Sequence, residues 1–181
     1  MDVFLLLEHG TKAHSIRKVL FFSWTCYNSV KGAEDDLKSK KGEKALKRLF
    51  KTNSSKIVGN KNGPKIMVKN LNKKRKKGEK RTLGVYDGGD VIYLDKLVVK
   101  MAEAGDKKAQ KLLERTIVHE VGHWAERKIN KRVENNRTEE KGVELEKRIY
   151  GKKTDYYNND GKPNQPYSEA AHVHEKEHNK K

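Results

Sequence analysis

Hydrophobic residues are sparse in this chain, and their spacing predicts most of its elements. From Lys107 to about Ile129 the apolar positions Ala109, Leu112, Leu113, Ile117, Val121, Trp124 and Ala125 recur at a helical period. Asp106 precedes them as a helix N-cap. A second helix is expected from Glu139 to Tyr150, after Thr138 and stopped by Gly151. A third is expected from about Gly42 to Lys51, where Ala45, Leu46, Leu49 and Phe50 share a face and Glu43 precedes Lys47 by one turn. Residues 96–104 also fit a helix. Two β-rich runs, Thr82–Tyr86 and Val91–Leu94, flank Asp87-Gly88-Gly89-Asp90 and predict a hairpin. Lys65–Lys69 fits a strand. Residues 1–30 are ambiguous: Val3–Leu7 suits a strand or a helical turn, while Ile16, Val19, Leu20 and Trp24 fall at helical spacing. The pattern divides the chain into an N-terminal helical or uncertain segment (1–60), a core (61–155) and a polar, partly disordered tail (156–181). The expected fold is α+β: a short β-sheet packed on the 107–129 helix, with the 139–150 helix beside it.

Composition narrows the function classes. Of 181 residues 34% are hydrophobic and 37% charged, which predicts a modest core. The formal net charge of +17 favours acidic partners such as nucleic acid, an anionic membrane or an acidic cell-wall polymer. The basic run Asn72–Arg81 has no interleaved aromatic residue and so offers no base-stacking platform; it reads as a solvated loop. Cys26 is alone, which excludes an intrachain disulfide and a Cys-based zinc site. No run approaches the roughly 18 apolar residues of a membrane span. Val19–Phe22, behind Arg17-Lys18, is too short and too far from Met1 for a signal peptide. Export, if it occurs, is expected by a non-classical route from the cytoplasm, or as a piece of a larger chain.

The chemistry concentrates at His119-Glu120-Val121-Gly122-His123. Residues four apart on a helix share a face, so the two imidazoles can hold one Zn²⁺ while Glu120, beside them, serves as general base and then acid. A third His within the extended form of this motif is absent, because Ala125 to Asn135 contains none. A carboxylate from the next helix is the economical third ligand, with Glu139, Glu140, Glu144 and Glu146 as candidates. Val143, Glu146, Ile149 and Tyr150 fall on one stripe, which selects Glu146 and leaves Glu144 in reserve. Tyr156, Tyr167 and His172 are candidate donors to a reaction oxyanion. His172, His174 and His178 have metal-binding spacing but read as a solvated tail.

The hairpin at 82–94, the His119–His123 motif and Gly142-Val143-Glu144-Leu145-Glu146-Lys147-Arg148-Ile149-Tyr150-Gly151 together resemble the zincin metallopeptidases with a Glu third ligand. More closely, they resemble the peptidase domains of bacterial effectors and polymorphic toxins. Gly, an acidic residue and Tyr-Gly are also similar to deuterolysin-like peptidases, where the acidic ligand is an Asp at a different spacing. The resemblance implies a zinc-dependent peptidase, secreted or injected into a target cell. Host protein or the peptide stems of peptidoglycan would be its substrate, and an immunity or inhibitor protein its partner. The rival readings are a basic nucleic-acid-binding module and a structural zinc domain without catalysis.

Overall fold

The computed structural model describes residues 24–58, 63–73, 82–131, 141–151, 155–157 and 163–166. Val3–Leu7 and Val19–Phe22 lie outside these residues. The described chain begins with two helices broken at a serine, α1 (Trp24–Lys38) and α2 (Lys40–Phe50). Ser39 causes the break: its hydroxyl donates to the Asp36 carbonyl at 2.6 Å and accepts from the Gly42 amide at 3.1 Å. It thus ends one helix and caps the next. A 3₁₀ turn, Ser54–Lys56, follows. Its start is held by the Glu43 carboxylate, which accepts from the Ser54 backbone and hydroxyl.

Three strands form the main sheet: β1 (Lys65–Lys69), β2 (Gly84–Tyr86) and β3 (Val91–Asp95), in the order β1-β3-β2. β2 and β3 form the expected hairpin, with Tyr86 opposite Ile92. Asp87 shapes its turn by accepting from Gly89 at 2.8 Å and Val91 at 3.1 Å, and Gly88 supplies the positive φ of 79°. β1 joins the other side of β3 in parallel, Ile66 beside Ile92. Asn72 ties the end of this strand down: it exchanges hydrogen bonds with the Thr82 backbone at 2.8 and 2.9 Å and donates to Asp95 at 2.9 Å. Most of the basic run, residues 74–81, lies outside the described residues.

Buried Asp95 then caps α3 (Lys96–Glu103) by accepting from the Leu97 amide at 3.2 Å. Asp106 caps α4 (Lys107–Lys128) through the amides of Lys108 at 2.8 Å and Ala109 at 3.1 Å. Around α4 the other elements assemble: it packs against α1, α3, α5 (Lys141–Tyr150), β2 and β3. The first half of α4 is amphipathic, but every residue from Thr116 to Glu126 is buried. A helix enclosed on all sides belongs to the core rather than to the surface. Ile117, Val118 and Val121 join Leu37, Leu46 and Phe50 of the first two helices, Ile92 and Leu94 of the sheet, and Leu145 and Ile149 of α5 in one hydrophobic cluster. Gly151, with φ 80°, ends α5. Beyond it, β4 (Asp155–Tyr157) pairs antiparallel with β5 (Pro163–Pro166), a pairing that the polar composition of the tail did not predict. The architecture is a small α+β domain.

Candidate metal centre

The enclosed half of α4 carries the motif. His119 and His123, one turn apart, meet edge to face with ring centroids 4.9 Å apart and Nε2 atoms 3.1 Å apart. They are 0% and 9% exposed. Two ligands each about 2.0–2.1 Å from a tetrahedral zinc stand roughly 3.3 Å from one another. The observed separation therefore suits two imidazoles that share one ion.

Glu120, a further 100° around the helix, points to β2 instead. Its Oε2 accepts from the Tyr86 amide at 2.8 Å, and the residue is 2% exposed. The approach depends on Gly84, where a Cβ would stand 2.5 Å from Thr116 Cγ2 and 3.1 Å from Glu120 Cγ. The Tyr86 phenol donates to the Gly89 carbonyl at 2.8 Å. Burial pushes this phenol up to about 12; the Arg127 charge opposes that rise and Asp87 and Asp90 add to it. It stays protonated and holds the turn next to the Glu120 contact.

α5 closes the other side. Gly142 lies so close that a Cβ there would be 2.7 Å from the His119 carbonyl oxygen and 3.0 Å from ring atoms Cδ2 and Nε2. One turn on, Glu146 reaches the same imidazole from its other edge, with Oε2 3.5 Å from His119 Nδ1. Glu146 is 1% exposed, and neither carboxylate oxygen accepts a hydrogen bond among the described residues. Glu144 faces outward, receiving Lys141 at 2.7 Å and Arg148 at 2.6 Å. Partial burial works to raise its pKa, but the hydrogen bonds from these two cations outweigh it and hold the carboxyl below the usual range. The structure thus brings Glu146 to the histidines and commits Glu144 to surface ion pairs. Among the described residues no three His, Cys, Asp or Glu side chains converge closely enough to enclose an ion.

Of the other candidates, Glu139 and Glu140 lie outside the described residues, as do Tyr167, His172, His174 and His178. Tyr156 falls in strand β4. Three participants were not singled out from sequence: the Tyr86 amide, Gly84 and Gly142. A backbone amide carries no sequence signal. The glycines carry one only as interruptions of a strand and a helix, where close backbone approach is the usual reason.

Comparison with curated proteins and with solved structures gives no match. A family model described as metallopeptidase toxin 3 matches residues 25–151. That span runs from α1 through α5 and takes in the His119–His123 turn, Gly84, Tyr86, Gly142 and Glu146. It also reaches back through the two N-terminal helices, beyond the resemblance carried by residues 82–151. With enclosed imidazoles suited to a metal and a carboxylate beside them, the chain belongs to the metallopeptidase toxin 3 family, whose name marks it as a metal-dependent peptidase with a toxic role.

Proposed function

We propose that this toxin domain is a zinc-dependent peptidase in which His119 and His123 hold the ion through Nε2 and Glu120 is the general base. The carrying observation is the 3.1 Å separation of the two Nε2 atoms inside an enclosed helical turn. Neutral imidazoles are ligands that suit zinc. Zinc bound there would supply a Lewis acid that polarises the scissile carbonyl and eases deprotonation of water.

The protein's own groups do the rest. Glu120 takes a proton from the attacking water at a carboxylate oxygen. The water's oxygen bonds to the carbonyl carbon as that proton leaves, and Glu120 then returns the proton to the amine nitrogen as the C–N bond breaks. The Tyr86 amide aims the carboxylate by holding Oε2. Enclosure by α5 and β2 keeps bulk water from these groups, which strengthens every charge interaction among them. Glu146 is the buried carboxylate of the centre. The substrate class is a protein or a peptidoglycan stem peptide. Delivery is out of the producing cell; among the described residues no helix is long and apolar enough to cross a membrane.

Zinc content and peptide hydrolysis, measured on the same preparations, test this reading. Wild type should carry about one zinc per chain, His119→Ala and His123→Ala should lose it, and Glu120→Gln should keep it. Glu120→Gln should hydrolyse peptide about 10²–10⁴ times more slowly. Wild-type turnover by Glu120→Gln, or zinc binding indifferent to both histidines, would overturn it.

A further inference from the structure

The outward face of α2 is a row of cations that the metal centre does not use. Lys40, Lys44 and Lys47 follow one another at helical spacing, Lys51 continues the row at the C-cap, and Lys41 and Arg48 flank it. At 1.5 Å per residue the row is about 16 Å long. All six residues are exposed, and among the described residues no carboxylate pairs with them. Glu43, the acid of this helix, is turned to Ser54. The opposite face, with Ala45, Leu46 and Phe50, lies in the hydrophobic cluster.

Such a row is unfavourable in isolation. Like charges one turn apart repel, and Lys40 and Lys41 stand at the positive end of the helix dipole. On the other helices several cations find acids: Lys38 meets Glu34, Lys111 meets Glu114, Lys128 meets Asp90, and Lys141 and Arg148 meet Glu144. α2 instead leaves its cations open to an external counter-charge.

We propose that this face docks the domain on an anionic bilayer surface. The make-up of the row selects that partner. A protein interface is centred on apolar and aromatic anchors, and lysine is depleted from it. A nucleic-acid site draws on arginine forks, on Ser, Thr, Asn or Gln hydrogen bonds and on aromatic platforms. The row holds Lys40, Lys41, Lys44, Lys47 and Lys51 with the single Arg48, and none of those other groups. Lysine is a hydrated point charge on a flexible stem, which suits a plane of mobile anionic headgroups; basic clusters of this size on a helix are attracted to such lipids. Because the apolar face of α2 is held in the core, the helix lies on the surface without inserting. Binding is therefore by charge alone, reversible and sensitive to salt. Docking concentrates the domain at a membrane, whichever reaction its metal centre performs.

Co-sedimentation of the full chain with vesicles tests this, with circular dichroism to follow folding. Wild type should bind vesicles of phosphatidylcholine and phosphatidylglycerol in equal parts at about 0.1 M salt, and should be released near 1 M, where charges act over only about 3 Å. It should not bind vesicles of phosphatidylcholine alone. Each lysine near an anionic surface strengthens binding by about fivefold, so the triple variant Lys40→Gln, Lys44→Gln, Lys47→Gln should bind about 100-fold more weakly. A control triple, Lys96→Gln, Lys100→Gln, Lys108→Gln, removes the same charge from exposed positions on α3 and α4 and should lose much less. Equal losses in the two triples would show that net charge, not this face, does the binding, and would overturn the proposal. So would equal binding to both kinds of vesicle. Complete displacement from the vesicles by duplex DNA at the same phosphate concentration would assign the row to nucleic acid and also overturn it. If the first triple does not fold, Lys44→Gln alone decides: about fivefold weaker binding sustains the proposal and wild-type binding sinks it.

Discussion

Gly122 of α4 and Gly142 of α5 meet backbone to backbone: a Cβ on Gly122 would stand 2.6 Å from the Gly142 Cα. No larger pair allows the two helices to approach this closely, and the approach carries Glu146 to His119. Gly122→Ala and Gly142→Ala should each cost about 1–3 kcal/mol by overpacking, read by urea denaturation. Gly142→Ala should also weaken zinc binding more than Gly122→Ala at equal stability loss, because its methyl group enters the His119 ring contact. Equal zinc affinities in the two variants would contradict this placement of α5.

The Gly84 approach on the opposite face makes a different prediction. A side chain there displaces β2 from Thr116 and Glu120, and with it the Tyr86 amide. A hydrogen bond to a charged group contributes about 1.5–3 kcal/mol. Gly84→Ala should lower peptide hydrolysis by about tenfold or more while zinc content stays at the wild-type level, since the added methyl group meets Thr116 and Glu120. Joint loss of zinc and activity would show that β2 supports the metal centre itself.

Far from the centre, the Tyr150 hydroxyl donates to Asp36 at 2.7 Å, and Arg115 stacks over the Tyr150 ring at 4.6 Å. Burial raises the Tyr150 pKa, and the hydrogen bond to Asp36 raises it further. Tyr150→Phe keeps the ring and removes this bond between α5 and α1. Its unfolding free energy should fall by about 1.5–3 kcal/mol. A change below roughly 0.5 kcal/mol, the size of ordinary surface substitutions, would rule the bond out as a tie between the helices.

Glu144 gives a pH dependence. Its folded pKa lies below the unfolded value of 4.5, so its stabilising contribution is fully present above that value and is lost as pH falls through the folded pKa. Glu144→Gln should lower stability at pH 7 by about 0.5–1 kcal/mol, as partly exposed ion pairs do. The gap from wild type should close in acid. A gap that persists below pH 3 would place the effect in packing instead of charge.

Much of this arrangement was legible in the sequence because it is periodic. The helical phase that set Glu146 among Val143 and Ile149, and Glu144 outside them, needed only the 3.6-residue turn. The hairpin followed from Gly88-Gly89 between two β-rich runs, and the α4 cap from Asp106. What could not be read is long-range or carried by backbone. The parallel pairing of β1 with β3 joins strands separated by another strand, so no local signal marks it. The Tyr86 amide reaches Glu120 across 34 residues. Helical spacing places Glu146 beside the histidines, but only the three-dimensional arrangement shows which edge of His119 it meets.

The tie from Tyr150 to Asp36 spans 114 residues and closes nearly the whole domain. A contact of such sequence separation forms late, because the loop it closes must be ordered first. On the ribosome, α4 emerges with both imidazoles and Glu120 before α5 has been made. A nascent or truncated chain ending before residue 141 therefore has the motif without the helix that encloses it. In this toxin domain the helix that brings Gly142 and Glu146 to His119 is therefore the last element of the matched span to be synthesised.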